Sequence, residues 1–247
     1  MKTAIITGGT RGIGRAIAEA FVAENYKVVI GARSDSEIID HLKSNARFVS
    51  IDVREEAGHR KLVDVAKKWA GQIDVYVNNA GFSEWRPIEL IDETFFDELI
   101  GTNLKGAFWG CKVAADSLVP GGTIINLSSI AGKRGSVNNA MYCASKFGMN
   151  GLTQALAKEL GPKSIRVNAV CPVLVATDGL MEALGSPHSP SKGNIDKFLD
   201  NFATTQSAFG RLPTAAEVGN VCVYLASDKA SAITGQCINV DCGVFPQ

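Results

Sequence analysis

Tyr142-Cys143-Ala144-Ser145-Lys146 sets a phenol and a primary amine four positions apart, near the start of an apolar-periodic run that reaches Leu160. In a helix the two share one face, a turn from each other. Such a pair can be a proton donor and the charge that tunes it. A tyrosine hydroxyl titrates near ~10, and bringing it to neutrality takes about three units, or roughly 4 kcal/mol. One unit charge at ~4 Å and an effective dielectric of ~20 supplies about that much. Tyr and Lys at this spacing also recur on ordinary helices as a packed ring beside a solvated charge, so the pair acquires meaning only if other residues converge on it.

A second candidate lies at the start of the chain. Ala4-Ile5-Ile6 runs into Thr7-Gly8-Gly9-Thr10-Arg11-Gly12-Ile13-Gly14, and a helical pattern follows through Ala16, Ile17, Ala20 and Phe21. A glycine turn between strand and helix lets the backbone approach a diphosphate, whose charge the free N–H groups of the helix start stabilise. Alone the motif is weak, but here it has the strand and helix its mechanism requires. An acid about 20 residues further on would bind the adenosine ribose of NAD. The second strand ends instead in Gly31-Ala32-Arg33-Ser34. Arg33, together with Arg11, makes a cationic site for a 2′-phosphate, which favours NADP(H); Asp35 keeps NAD(H) open.

The elements that must position these residues are strands and helices in alternation. Short apolar runs at 27–30, 47–51, 73–77, 123–127, 165–170 and 237–240 read as strands covered on both faces. Helical patterns fall at 12–24, 36–44, 55–70, 93–118, 140–160 and 214–226. The fold class is therefore α/β: a single-domain, Rossmann-like doubly wound parallel sheet of about seven strands over 1–247, with ligands at the strand carboxyl ends. One segment departs from the pattern. Between Thr177 and Arg211, Pro187 and Pro190 bracket His188, and one apolar helix pattern follows through Ile195, Phe198, Leu199 and Phe202. This predicts a mobile loop plus a short helix, a substrate lid over about 178–210.

Composition limits the alternatives. Among 247 residues 46% are hydrophobic and formal net charge is zero, which gives no pull toward nucleic acid or anionic lipid. A small-molecule partner is expected. The six cysteines contain no C-x-x-C pair and the three histidines are scattered, so no metal site is expected and the thiols read as small buried hydrophobes in a reducing compartment. With neither a signal-peptide core nor a membrane-length apolar run in sight, the expected location is cytoplasmic.

Taken together, the motifs resemble the short-chain dehydrogenases/reductases, in the branch of the 3-oxoacyl carrier-protein reductases. Thr7-Gly8-x-x-x-Gly12-x-Gly14 is similar to that family's cofactor turn, Asp52-Val53 to its adenine contact, and Asn78-Asn79-Ala80-Gly81 to the strand-end motif of its cofactor groove. Asn103 resembles its helix asparagine and Ser129 its catalytic serine, 13 residues before Tyr142. The resemblance implies that Ser129 binds the substrate oxygen and Tyr142 exchanges its proton. Lys146 would lower the Tyr142 pKa and hold the nicotinamide ribose, and Asn103 would hold a water of a proton relay. It further implies a cofactor site of Gly8, Thr10, Arg11, Gly12, Ile13, Gly14, Arg33, Asp52, Val53, Asn79, Ala80, Gly81, Tyr142, Lys146, Pro172, Val175 and Thr177. A homotetramer or homodimer built on helices 93–118 and 140–160 is also implied, with Val244-Phe245-Pro246 at an interface. Two positions depart from the family: Pro172-Val173 stands where Pro-Gly is usual, and Asp241-Cys242-Gly243 where Gly-Gly is usual.

The expected activity is hydride transfer between NADP(H) and a ketone or secondary alcohol, 3-oxoacyl thioesters included. The alternatives are an NAD-dependent sugar or polyol dehydrogenase and a dinucleotide-sensing protein without turnover. The lid mixes Glu182, Asp196 and Asp200 with Lys192 and Lys197, which weakens the carrier-protein reading. Trp85, Met181, Leu184 and Phe202 are candidates for an apolar substrate pocket.

Overall fold

β1 (Thr3–Thr7) is buried along its whole length, as a strand covered on both faces must be. The computed structural model describes residues 1–246, Lys43 by its backbone alone; Gln247, the last residue of the expected domain, lies outside the described residues. Beside β1 lie β2 (Lys27–Ala32), β3 (Ala46–Ser50), β4 (Val75–Asn78), β5 (Thr123–Leu127), β6 (Arg166–Pro172) and β7 (Cys237–Val240). They form one seven-stranded sheet in the order β3-β2-β1-β4-β5-β6-β7. Every neighbouring pair is parallel. The order reverses between β1 and β4, and at such a switch the loops leaving the two strands part to open a crevice.

Alternation along the strands divides the core in two. Ala4, Ile6, Val28 and Ile30 face α1 (Gly12–Ala23) and α9 (Ala215–Ala226), packing on Ile17, Phe21, Val218 and Leu225. Ile5, Val29, Tyr76 and Ile124 face the other way, onto Leu62 of α3 (Glu56–Ala70), Cys111 of α5 (Gly106–Ala115) and Leu160 of α6 (Ala140–Leu160).

Several expected elements differ. The run 36–44 is helical only as α2 (Ile38–Leu42), with a 3-10 turn at Lys43–Asn45. The helix expected over 93–118 is α4 (Glu93–Ile100), a π-helical stretch Gly101–Lys105, and then α5, which ends at Ala115. Asn103 explains the π stretch. It is fully buried, its Nδ2 donates to Phe82 O at 2.8 Å and its Oδ1 accepts from Phe82 N at 3.0 Å, which outweighs regular helix geometry there. The segment 177–211 holds two helices rather than one, α7 (Asp178–Leu184) and α8 (Ile195–Gln206). The Thr177 side chain caps α7 by accepting from Leu180 N at 3.3 Å. Between the helices, the buried hydroxyls of Ser189 and Ser191 both donate to Leu184 O, at 2.6 and 2.7 Å.

The two family departures behave differently. Val173 is buried against Ile130 and Val244 without a left-handed backbone. Cys242 occupies φ 53°, the region that disfavours a side chain.

Candidate active site

The strand carboxyl ends release the residues that line one cleft of about 1410 Å³. Its floor is the glycine turn. Gly8 adopts φ 68°, and a Cβ at Gly14 would collide with Gly8 O and the Asn79 amide, so the crossing requires glycine. Thr7 fastens the turn to the β4 loop: its Oγ1 accepts from the backbone N–H groups of Asn79 and Ala80, each at 3.1 Å. Asn79 Nδ2 donates to Thr7 O and Gly8 O, at 2.9 and 3.0 Å. Helix α1 begins with neither a side-chain cap nor an acid in its first turn. Its first N–H groups are therefore left without a side-chain acceptor, an arrangement suited to an anion.

At the end expected to take the adenosine, the cleft is lined by Arg33, Ser34, Asp52, Val53 and Arg54. Asp52 is clasped by Arg54, which donates through Nε at 2.9 Å, Nη2 at 2.5 Å and its backbone N at 2.9 Å. Those hydrogen bonds hold the Asp52 carboxyl below its ordinary range. Arg54 was not singled out from the sequence, although an arginine two residues after an expected adenine-contacting acid was the available signal. Asp35 turns its carboxylate back onto Ser36 N at 2.7 Å. Arg11 does not join Arg33 as expected: its Nη1 pairs at 3.0 Å with Glu182 of α7, across the cleft. Glu182 is carried to Arg11 by a helix the sequence did not announce.

At the other end, Ser129, Tyr142 and Lys146 share the cleft wall. Ser129, at the end of β5, accepts from Ala131 N at 3.1 Å and donates to Pro172 O at 3.4 Å. The hydroxyl thus caps a 3-10 turn while facing the tyrosine. Tyr142 and Lys146 fall on consecutive turns of α6, with the Lys146 ammonium 5.5 Å from the centre of the Tyr142 ring. Lys146 is buried and donates to Leu127 O at 2.6 Å. Burial pushes its amine down to about 8. Burial also pushes the Tyr142 hydroxyl up to about 12, against a lowering hydrogen bond with Ser129. The ammonium is held on the Leu127 carbonyl, and desolvation dominates the phenol.

Every residue expected in the cofactor site lines this cleft, as do three of the four expected catalytic residues. Asn103 does not. It lies behind the wall, bound at both ends of its amide to Phe82 and at 3.4 Å to Ser145 Oγ. It fixes the Gly81-Phe82 strip rather than facing the crevice. Of the expected apolar pocket, Trp85 and Phe202 line the cleft, with Leu174, Leu180 and Phe198 added by the fold. Leu184 is instead buried against Trp85, and Met181 is not on the cleft wall. Among the described residues no group of three or more His, Cys, Asp or Glu side chains could hold a metal ion, and no helix is long and apolar enough to cross a membrane.

A parallel sheet with a glycine-floored crevice at its switch point, and a Ser, Tyr and Lys at one end of that crevice, defines a dinucleotide-dependent oxidoreductase fold. Comparison with known proteins gives the family. Residues 8–245 match the family model described as enoyl-(acyl carrier protein) reductase. The chain is 38% identical over 247 residues to a 3-alpha-(or 20-beta)-hydroxysteroid dehydrogenase of Mycobacterium tuberculosis, covering 98% of this chain and 88% of the relative. It is 32% identical over 249 residues to a 3-oxoacyl-[acyl-carrier-protein] reductase of Salmonella typhimurium, covering 99% and 97%. Among solved structures, a short-chain dehydrogenase/reductase of Brucella melitensis titled glucose/ribitol dehydrogenase superimposes with a TM-score of 0.90 at 32% identity, covering 100% of this chain and 97% of that one. The chain belongs to the short-chain dehydrogenase/reductase family, whose members act on ketones and alcohols with nicotinamide dinucleotides.

Proposed function

We propose that the protein transfers hydride between NADP(H) and a ketone or secondary alcohol, with Tyr142 as general acid and base. The observation that carries this reading is the meeting of Ser129, Tyr142 and Lys146 at one end of a single cleft whose opposite lip bears Arg33. The nicotinamide supplies the hydride when bound. As the carbonyl oxygen gains charge, Ser129 donates a hydrogen bond to it and Tyr142 gives it a proton. Burial favours the protonated phenol, the form that can give its proton as charge develops on that oxygen. Lys146 would hold the ribose of the nicotinamide. Asn103 acts by fixing the Gly81-Phe82 backbone that borders the same groove.

The preference for NADP(H) rests on Arg33 and Asp35. Arg33 is exposed and has no ion-pair partner among the described residues. Asp35 is not on the cleft wall, whereas Arg33 is, so the carboxylate an adenosine ribose would need does not line that end. The lid is the segment 178–210, whose Leu180, Phe198 and Phe202 give the cleft an apolar wall. That wall favours an apolar or cyclic ketone; the steroid-acting relative supports this choice over the sugar-acting one. Exposed Phe96, Phe108 and Phe147 on α4, α5 and α6 favour a homo-oligomer, a tetramer, through these helices. The free cysteines fit a cytoplasmic location.

A panel of ketones and alcohols followed by nicotinamide absorbance, with both cofactors, tests the proposal. Turnover of apolar ketones with NADPH is expected. No turnover of any carbonyl or alcohol, alongside measurable dinucleotide binding, would establish the sensing protein instead.

A further inference from the structure

Two thiols lie directly behind the catalytic end of the cleft. β6 and β7 pair with Cys237 opposite Ala169, so Cys171, two residues on, is the diagonal neighbour of Cys237 on the same face. The two sulfurs are within hydrogen-bonding reach. Cys171 is fully buried, whereas Cys237 on the edge strand is partly exposed. Lys133 brings its ammonium to Cys237 O at 2.6 Å. The bond from Cys171 and the Lys133 charge make Cys237 a stronger acid than an ordinary thiol, while the same bond and burial make Cys171 a weaker one. Cys242, the other partly exposed thiol, is shifted the opposite way by burial. Cys237 is thus the thiol poised to react first.

Cys171 is also tied to the chemistry. It precedes Pro172, whose carbonyl accepts from Ser129 Oγ at 3.4 Å. Its Sγ lies 3.9 Å from Asn150 Oδ1 and next to Ser128, whose hydroxyl donates to Lys146 O at 3.3 Å. Drawing the Cys171 sulfur toward β7 pulls on the groups that place Ser129 and Lys146.

We propose that Cys171 and Cys237 form a reversible disulfide across β6 and β7 that slows turnover, with a low-molecular-weight disulfide as the oxidant. The Cys237 thiolate attacks one sulfur of the external disulfide, forming a mixed disulfide and releasing one thiolate, which takes up the proton Cys237 has lost. Cys171 then attacks Cys237 Sγ, its proton passing to the second departing thiol. Two protein thiols are oxidised and one external disulfide is reduced to two thiols. A bridge between diagonal strand neighbours requires the β6 and β7 backbones to move toward each other, and the strain keeps it easily reduced.

The test is to incubate the full chain with glutathione disulfide and follow peptide maps and turnover together. The turnover half rests on the hydride-transfer reading, while the peptide map decides the bond whatever the substrate. Expected are a linked Cys171–Cys237 peptide, loss of most turnover, and recovery with dithiothreitol. Cys171→Ala should stop at a glutathione adduct on Cys237. Cys237→Ser should form no link and keep its turnover, and Cys242→Ser should behave as the unaltered protein. A stable adduct on Cys237 in the unaltered protein, a link through any other cysteine, or a complete Cys171–Cys237 link with unchanged turnover would overturn the proposal.

Discussion

The two ends of the cleft use charge in opposite ways. At one end, two ion pairs lie near the surface: Arg54 with Asp52, and Arg11 with Glu182, the last two side chains each 63% exposed. At the catalytic end, one cation is buried and anchored on a main-chain carbonyl, beside a phenol whose ionisation burial opposes. Exposed pairs are worth about 0–1 kcal/mol and exchange partners readily. Buried groups are costly to move and hold one geometry. The exposed end can therefore exchange its pairs, while the buried end holds one arrangement.

Tyr142→Phe is the sharpest challenge to this contrast. Turnover should fall about 10³-fold while cofactor affinity, read by fluorescence titration, stays nearly constant. Persistent activity would show that the buried end does not supply the proton.

Lys146→Met should also abolish efficient turnover, yet stabilise the fold by about 2 kcal/mol, because a buried ammonium is being removed. The sign follows from its lowered amine. Between about 8 in the folded protein and 10.5 unfolded, the unfolded chain binds more protons, so stability rises with pH through that window. Urea denaturation from pH 7 to 11 should show this rise, and the variant should lose the share due to Lys146. If both proteins respond alike, Lys146 is not strained by burial.

At the exposed end effects should be smaller. Arg33→Ala is expected to raise the NADPH KM about tenfold, or ~1.4 kcal/mol, with little change for NADH. An equal effect on both cofactors would remove the basis for preferring NADP(H). Glu182→Gln should free Arg11 and tighten NADPH binding by about threefold, with no change in thermal midpoint. If binding weakens instead, the pair closes the lid over the cofactor rather than competing with it.

Legibility in the sequence followed the range of the interaction. The glycine turn, strands β5 and β7 and helix α6 could be read closely because short-range period and turn chemistry set them. The π stretch was not legible: it depends on Asn103 meeting Phe82, 21 residues earlier in the chain. Helix α7 escaped because its one cap and few apolar positions are a weak local signal. Arg11 illustrates the same limit in the site, since Glu182 stands 171 positions away.

The sequence by itself determined the α/β alternation, the phosphate-type turn and the Tyr142-Lys146 face, because each depends on neighbours along the chain. Only the tertiary structure decided which charges meet, how deeply Lys146 is buried, and that Cys171 and Cys237 adjoin. Those outcomes depend on which distant strands and helices pack together, and desolvation follows from that packing.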